Sequence, residues 1–247
     1  MKILLSGLTG HMGNEVVKLI SASSDFELTA GVDAFAGEDT CVPCAKNFED
    51  ACTDVDCVID FSHHSQTKAL TEFCVKNKLP LVLATTGQTE EEKQLIQDAS
   101  ASIPLFFAAN YSLGIALLIE LAKKAAVTME GAEIEIVEAH HDRKLDAPSG
   151  TALAIADAIH EVRPESVNHC GRSGMGKRTS EEIGIHSIRM GNIVGMHEVI
   201  IGTPNQTITL KHEAHSRALF AEGALSAAKF LMGKSAGLYD MKSMLAE

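Results

Sequence analysis

The sequence predicts an α/β chain: a doubly wound parallel sheet covered by helices, followed by an α+β part. Three observations carry that expectation. In the first half, short runs rich in Val, Ile and Leu alternate with helix-period segments, as in a parallel sheet buried on both faces. The first such run leads straight into Gly7-Leu8-Thr9-Gly10-His11-Met12-Gly13 and then into a helical pattern. After residue 110 the order changes to a long helix, an alternating strand, and closely spaced strand-like runs.

Taken in order, strands are expected over residues 2–6, 27–32, 57–61, 81–84 and 105–108, and helices over 12–22, 66–77 and 90–101. In the second part, 113–128 reads as a long helix and 133–139 alternates like a half-buried strand. A helix should begin after Ser149, which can cap it. Residues 162–182, with Cys170-Gly171-Arg172-Ser173-Gly174-Met175-Gly176-Lys177-Arg178, read as a mobile loop. Runs 183–189, 193–201 and 207–213 predict an antiparallel sheet, with Gly191-Asn192 as a tight hairpin turn and Pro204-Asn205 as the next break. Residues 218–232 read as a last helix, whose packing partner the pattern does not give.

At 247 residues the chain can bury one large core or two modest ones. Its net charge of −12 disfavours nucleic acid and anionic membranes as partners. No apolar run is long enough to span a bilayer, and the N-terminus lacks a signal-peptide layout, so a cytoplasmic location is expected. The six cysteines are then expected as thiols. Cys41-Val42-Pro43-Cys44 stands without the second ligand pair that zinc requires, and adjacent His63-His64 point to opposite sides of an extended chain, so no metal is expected.

Glycines at 7, 10 and 13 suit a nucleotide-binding turn, although the spacing is G-x-x-G-x-x-G, with Thr9 near the usual second glycine. Asp33, twenty residues beyond Gly13, suits a carboxylate on adenosine ribose hydroxyls. Ala34 follows it, and no adjacent residue neutralises a 2′-phosphate, so NADH is favoured over NADPH. Phe61 and Ser62 after the third strand, and Thr85 and Thr86 after the fourth, lie at C-terminal strand ends, where ligands bind in such sheets.

The most informative stretch runs Glu138-Ala139-His140-His141-Asp142-Arg143-Lys144-Leu145-Asp146-Ala147-Pro148-Ser149-Gly150-Thr151-Ala152. It places four potentially cationic side chains before a capped helix start, whose first turn can receive an anion. A dianionic ligand needs two anion sites, and this run supplies two.

This stretch resembles the signature of the dihydrodipicolinate reductases, E-A-H-H-x-x-K-x-D-x-P-S-G-T-A, at every fixed position. Family-like segments continue at residues 7–13, 60–62, 85–87, Asn110-Tyr111-Ser112-Leu113-Gly114, 189–197 and 237–241. The resemblance implies NAD(P)H-dependent reduction of 4-hydroxy-tetrahydrodipicolinate to tetrahydrodipicolinate, in diaminopimelate and lysine synthesis. It implies that His140 is the proton donor and His141 lines its pocket. It also implies that Lys144 binds one substrate carboxylate while Ser149, Gly150 and Thr151 receive the other.

On the cofactor side the resemblance adds His11, Met12, Gly87, Asn110 and Tyr111 to Gly7, Thr9, Gly10, Gly13, Asp33, Phe61, Ser62, Thr85 and Thr86. His11 stands where many members carry arginine, and Ala84 where glycine is usual. A Rossmann-type nucleotide domain is thus expected over 1–110 and 218–247, with a substrate and oligomerisation domain over 111–217. A homotetramer built through the second sheet is implied. The competing readings are another two-domain amino-acid-type dehydrogenase and a non-catalytic nucleotide sensor. Neither accounts for the intact run from His140 to Thr151.

Overall fold

The computed structural model describes residues 1–246, which separate into two compact units. One comprises residues 1–112 together with the segment from Arg217 onward, and the other Leu113–Ser216.

The first unit contains β1 (Lys2–Ser6), α1 (His11–Ser21), β2 (Glu27–Val32), β3 (Cys44–Ala45), β4 (Cys57–Asp60), α2 (Thr67–Asn77), β5 (Leu81–Leu83), α3 (Glu90–Ser100) and β6 (Pro104–Phe107). A 3-10 turn, His64–Gln66, precedes α2. The second unit contributes α4 (Leu113–Thr128), β7 (Glu133–His140), α5 (Gly150–His160), β8 (Val167–Cys170), β9 (Glu182–Arg189), β10 (Gly195–Thr203) and β11 (Gln206–Ala214). The chain then returns to the first unit as α6 (Ala218–Leu231), β12 (Gly237–Tyr239) and α7 (Met241–Leu245).

The first sheet has seven parallel strands in the order β12-β6-β5-β4-β1-β2-β3. Leu4, Val58, Leu81, Leu83 and Leu105 are wholly buried, because helices cover the sheet. From β1 the chain runs outward to β2 and β3, then returns to β4 and runs the other way. The crevice beyond the ends of β1 and β4 is therefore the switch point at which such sheets bind ligands. The last helix, α6, packs on α1 within this unit. The sequence reading missed the short strands β3 and β12, whose two and three residues are too few for a periodic signal.

The second sheet has the order β11-β10-β7-β9-β8. Helices α4 and α5 cover one face, where Ile115, Leu118, Ile155 and Ile159 pack on Ile134, Ile136, Ile183, Ile185, Val199 and Ile201. Three expectations need correction. The sheet is mixed rather than antiparallel, since β7 pairs parallel with β9, and β8 with β9. The segment 162–182 is not all loop, because Val167–Cys170 forms β8 at the sheet edge. Gly191-Asn192 is not a hairpin turn. Strand β7 lies between β9 and β10, and the connection passes over its end. The C=O of Gly191 accepts from Asp142 N–H, and that of Ile193 from His141 N–H. The tight hairpin in this sheet is instead at Pro204-Asn205, where Thr203 pairs with Gln206.

Candidate functional site

In the first unit the crevice at the switch point has a volume of about 480 Å³. Ser6, Gly7, Thr9, Gly10, Asp33, Phe61 and Ser62 line it. Gly7 has a φ of +81°, and a Cβ there would stand 2.4 Å from the Phe61 carbonyl oxygen. A Cβ on Gly13 would stand 2.2 Å from the Gly7 oxygen. Both positions exclude any side chain, one to let β1 turn beside β4 and the other to seat α1 on the turn. The turn so formed suits a dinucleotide.

Asp33 is held rigidly in the wall of this crevice. Its Oδ2 accepts from Thr9 N–H at 2.9 Å and from the Thr9 hydroxyl at 2.7 Å, and its Oδ1 accepts from Phe35 N–H at 2.9 Å. Burial alone would raise this carboxyl. The hydrogen bonds from Thr9 and Phe35, with the charge of Lys46, instead hold it below the usual carboxylate range. Asp33 is thus a fixed anion.

A smaller crevice of about 240 Å³ is lined by Met12, Phe61, Ala84, Thr86, Ala109, Asn110, Tyr111 and Phe220. Thr85 and Ser62 face a neighbouring one with Met12 and Thr86. Tyr111 is buried, its hydroxyl 2.8 Å from the Leu83 carbonyl oxygen. His11, Gly13 and Gly87 do not line these crevices. Sequence reading missed Phe35, Lys46, Phe48 and Gln66, which line the larger one from separate segments.

In the second unit the cluster is built on β7. Ile134, Ile136, Glu138 and His140 alternate onto the buried side of that strand, so a stripe that begins as core ends as a carboxylate and an imidazole. A buried charge must be paired. Arg189, which β9 places beside His140, grips Glu138 with both terminal nitrogens at 2.7 and 2.8 Å. Ser149 N–H adds a bond to Oε1 at 3.1 Å. Desolvation works against ionisation here, but hydrogen bonds from Arg189, Ser187, His140 and Ser149 prevail and hold Glu138 at about 2. It is a carboxylate at any working pH.

His140 Nδ1 lies 2.6 Å from Glu138 Oε2. Because Glu138 can only accept, Nδ1 carries the hydrogen, and Nε2 is the atom left to exchange a proton. A Cβ on Gly195 would stand 3.2 Å from Nε2, so the glycine that opens β10 keeps that side clear. Desolvation lowers the imidazole below its usual range, opposed by Glu138 and reinforced by Lys144 and Arg189.

Beyond His140 the run turns outward. Lys144 Nζ lies 2.8 Å from Asp146 Oδ1. Asp146 is held below the carboxylate range first by Lys144 and further by the backbone of Gly150. Ser149 caps α5 by accepting from Ala152 N–H at 3.2 Å, with Gly150 and Thr151 in the first turn. His141 is half-buried, its Nδ1 without a hydrogen-bond partner. Thus His140, Lys144, Ser149, Gly150 and Thr151 arise within one turn of chain. A basic group, a proton-exchanging nitrogen and a helix start meet there, which suits a small dianion. Among the described residues, no group of three or more side chains could hold a metal ion.

His197 belongs to the same cluster. It is buried, its Nε2 lies 3.2 Å from Ser149 Oγ, and its ring meets that of His140 edge-on at 5.2 Å. Burial, then the neighbouring His140, pushes it down to about 4. The unfolded chain binds a proton there near pH 6.5 while the folded one does not. Stability is therefore full above pH 6.5 and falls as pH drops towards 4, by on the order of 3 kcal/mol. His140 adds in the same direction, whereas the contribution of Glu138 is lost only below about pH 4.5. Thermal melts between pH 7.5 and 4.5 should show a falling Tm, with a shallower fall in His197→Gln. Equal slopes in the two proteins would refute this assignment.

Two family models match the chain. The model described as dihydrodipicolinate reductase, N-terminus, covers residues 1–111, and that described as its C-terminus covers 114–245. The chain is 46% identical to the 4-hydroxy-tetrahydrodipicolinate reductase of Caldanaerobacter subterraneus subsp. tengcongensis, over 99% of this chain and 98% of that one. It is 43% identical to the protein of the same name from Clostridium tetani, over 99% and 97%. Among solved structures it resembles a dipicolinate-bound dihydrodipicolinate reductase from Paenisporosarcina sp. TG-14, with TM-score 0.80, 27% identity and 97% of each chain covered. A probable dehydrogenase from Thermotoga maritima, 14% identical with TM-score 0.65, over 98% of this chain and 92% of that one, shares the fold alone.

Proposed function

This chain belongs to the dihydrodipicolinate reductase family, and from that membership we propose how its residues divide the work of the reaction. The protein is an NAD(P)H-dependent oxidoreductase that reduces 4-hydroxy-tetrahydrodipicolinate to tetrahydrodipicolinate, in diaminopimelate and lysine synthesis. The couple between Glu138 and His140, beside Lys144 and the start of α5, carries the assignment of roles.

In this reading the glycine turn, Thr9 and Asp33 hold the adenosine half of the nucleotide, and Met12, Phe61, Thr86, Asn110 and Tyr111 face its nicotinamide half. The bound nicotinamide supplies the hydride, so the protein's task is orientation and charge. Lys144 binds one substrate carboxylate. Ser149, Gly150 and Thr151 bind the other with hydroxyl and backbone groups at the helix start. His141 lines the same pocket.

The arriving dianion raises the proton affinity of His140, which desolvation and the Lys144 and Arg189 charges keep low beforehand. His140 then delivers a proton from Nε2 to the reduced substrate, while Glu138 holds Nδ1–H and steadies the imidazolium. Glu138, Arg189 and Asp146 act as positioning residues. The enzyme works in the cytoplasm, and no helix among the described residues is long and apolar enough to cross a membrane. A homotetramer built through the second sheet fits the exposure of Ile188 and Ile208 on β9 and β11.

The test is calorimetric titration with pyridine-2,6-dicarboxylate, alongside a coupled assay in which dihydrodipicolinate synthase supplies substrate and NADH loss is followed. Binding that survives replacement of both Lys144 and Ser149 by alanine would refute the pocket. On the cofactor side NADH is expected to serve at least as well as NADPH, because Asp33 repels a 2′-phosphate. Asp33→Ala should narrow or reverse the ratio of kcat/KM values. A wild-type protein with strongly better kcat/KM for NADPH would contradict the role given to Asp33.

A further inference from the structure

We propose that Lys46 is the specificity-determining cation of the adenosine crevice, and that it lets the reductase accept NADPH despite Asp33. The inference rests on reading that crevice as the adenosine site. Strand β3 pairs parallel with β2, Gly31 with Cys44 and Val32 with Ala45, and Asp33 N–H donates to the Ala45 carbonyl at 2.9 Å. Lys46, the next residue, is therefore set beside Asp33 at the same strand ends. Twelve residues of chain lie between the two in sequence, and the β2–β3 pairing removes that separation.

Lys46 lines the crevice together with Gly7, Gly10, Asp33 and Phe35, and it is the one lysine or arginine in that lining. Its ammonium donates to the Ala36 carbonyl oxygen, which tethers it to the loop that follows Asp33. Its charge also helps keep Asp33 ionised.

The two residues then have opposed tasks. Both oxygens of Asp33 are already fixed by Thr9 and Phe35, so the carboxylate cannot swing away from a 2′-phosphate. A phosphate placed there meets a fixed negative charge and needs a nearby cation. Lys46 is a compact point charge on a flexible stem and is exposed enough to move towards it. NADH, with a plain 2′-hydroxyl, needs Asp33 and makes no demand on Lys46. Lys46 should thus leave NADH affinity alone and set only how steeply NADPH is disfavoured.

Calorimetry with 5′-AMP and 2′,5′-ADP, which carry only the adenosine end, tests this without turnover. Lys46→Gln should weaken 2′,5′-ADP by about fivefold, the scale of an exposed ion pair, and change 5′-AMP less than twofold. Lys46→Arg should retain most of the affinity for 2′,5′-ADP. The difference between wild type and Lys46→Gln should shrink at high salt, as an exposed pair is screened. The ratio of kcat/KM for NADPH over NADH should fall by the same factor as the 2′,5′-ADP affinity. Equal weakening of both probes, or of neither, would overturn the role of Lys46 while the crevice stands as the adenosine site. Failure of wild type to bind either probe would overturn both readings.

Discussion

Replacing His140 with glutamine is expected to lower kcat about 100-fold or more, the usual contribution of a positioned proton donor. Glutamine keeps a polar group near Glu138, but its amide N–H is far too weak an acid to deliver a proton. The cluster around it should persist, because Arg189 and Ser149 N–H still satisfy Glu138. NADH affinity, measured by calorimetry, should stay within a factor of about two, since the crevice proposed for the nucleotide belongs to the other unit. A variant with near wild-type kcat would move the donor to His141 or solvent. One that lost NADH affinity instead would put His140 in the cofactor site.

Lys144→Ala should cost about 2–4 kcal/mol in kcat/KM, the range for removing a charged partner or a preorganised charge stabiliser. Lys144 differs from His140 in when it acts. In the proposed role it meets a carboxylate in the ground state and still offsets charge as hydride arrives, so KM should rise as kcat falls. Its ion pair with Asp146 is half-exposed, so its removal should leave the fold intact and Tm nearly unchanged. Binding of pyridine-2,6-dicarboxylate should weaken in parallel. Unaltered binding with a lost kcat would assign Lys144 to the transition state alone.

Much of this was legible in the chain because it rests on local rules. Short runs rich in Val, Ile and Leu marked β1, β2, β4, β5 and β6, and buried parallel strands leave that mark wherever they pair. Gly7 and Gly13 sit where a backbone turn admits no Cβ. Ser149 caps α5 as a serine before an apolar helix should, and the run from Glu138 to Thr151 carried its residues as one block of sequence. Adjacency in the chain fixes adjacency in space over such short spans.

What the tertiary structure alone decided lies where segments far apart in sequence pair. The Gly191-Asn192 connection has the composition of a hairpin turn, yet its flanking strands are not neighbours. Between them runs β7, and the connection spends its carbonyls on His141 and Asp142. Local composition fixes that a turn occurs; the burial of Ile134 and Ile136 against α4 and α5 fixes which strand it crosses. The same pairing brings Arg189 to Glu138, where a wholly buried carboxylate requires a cation that no neighbour in the sequence supplies. It also seats His197 opposite Glu138, and the two-residue strand β3 brings Lys46 to Asp33. Side chains that can bond or carry charge were visible from the sequence; their partners were chosen by strand order, a property of the whole packed sheet.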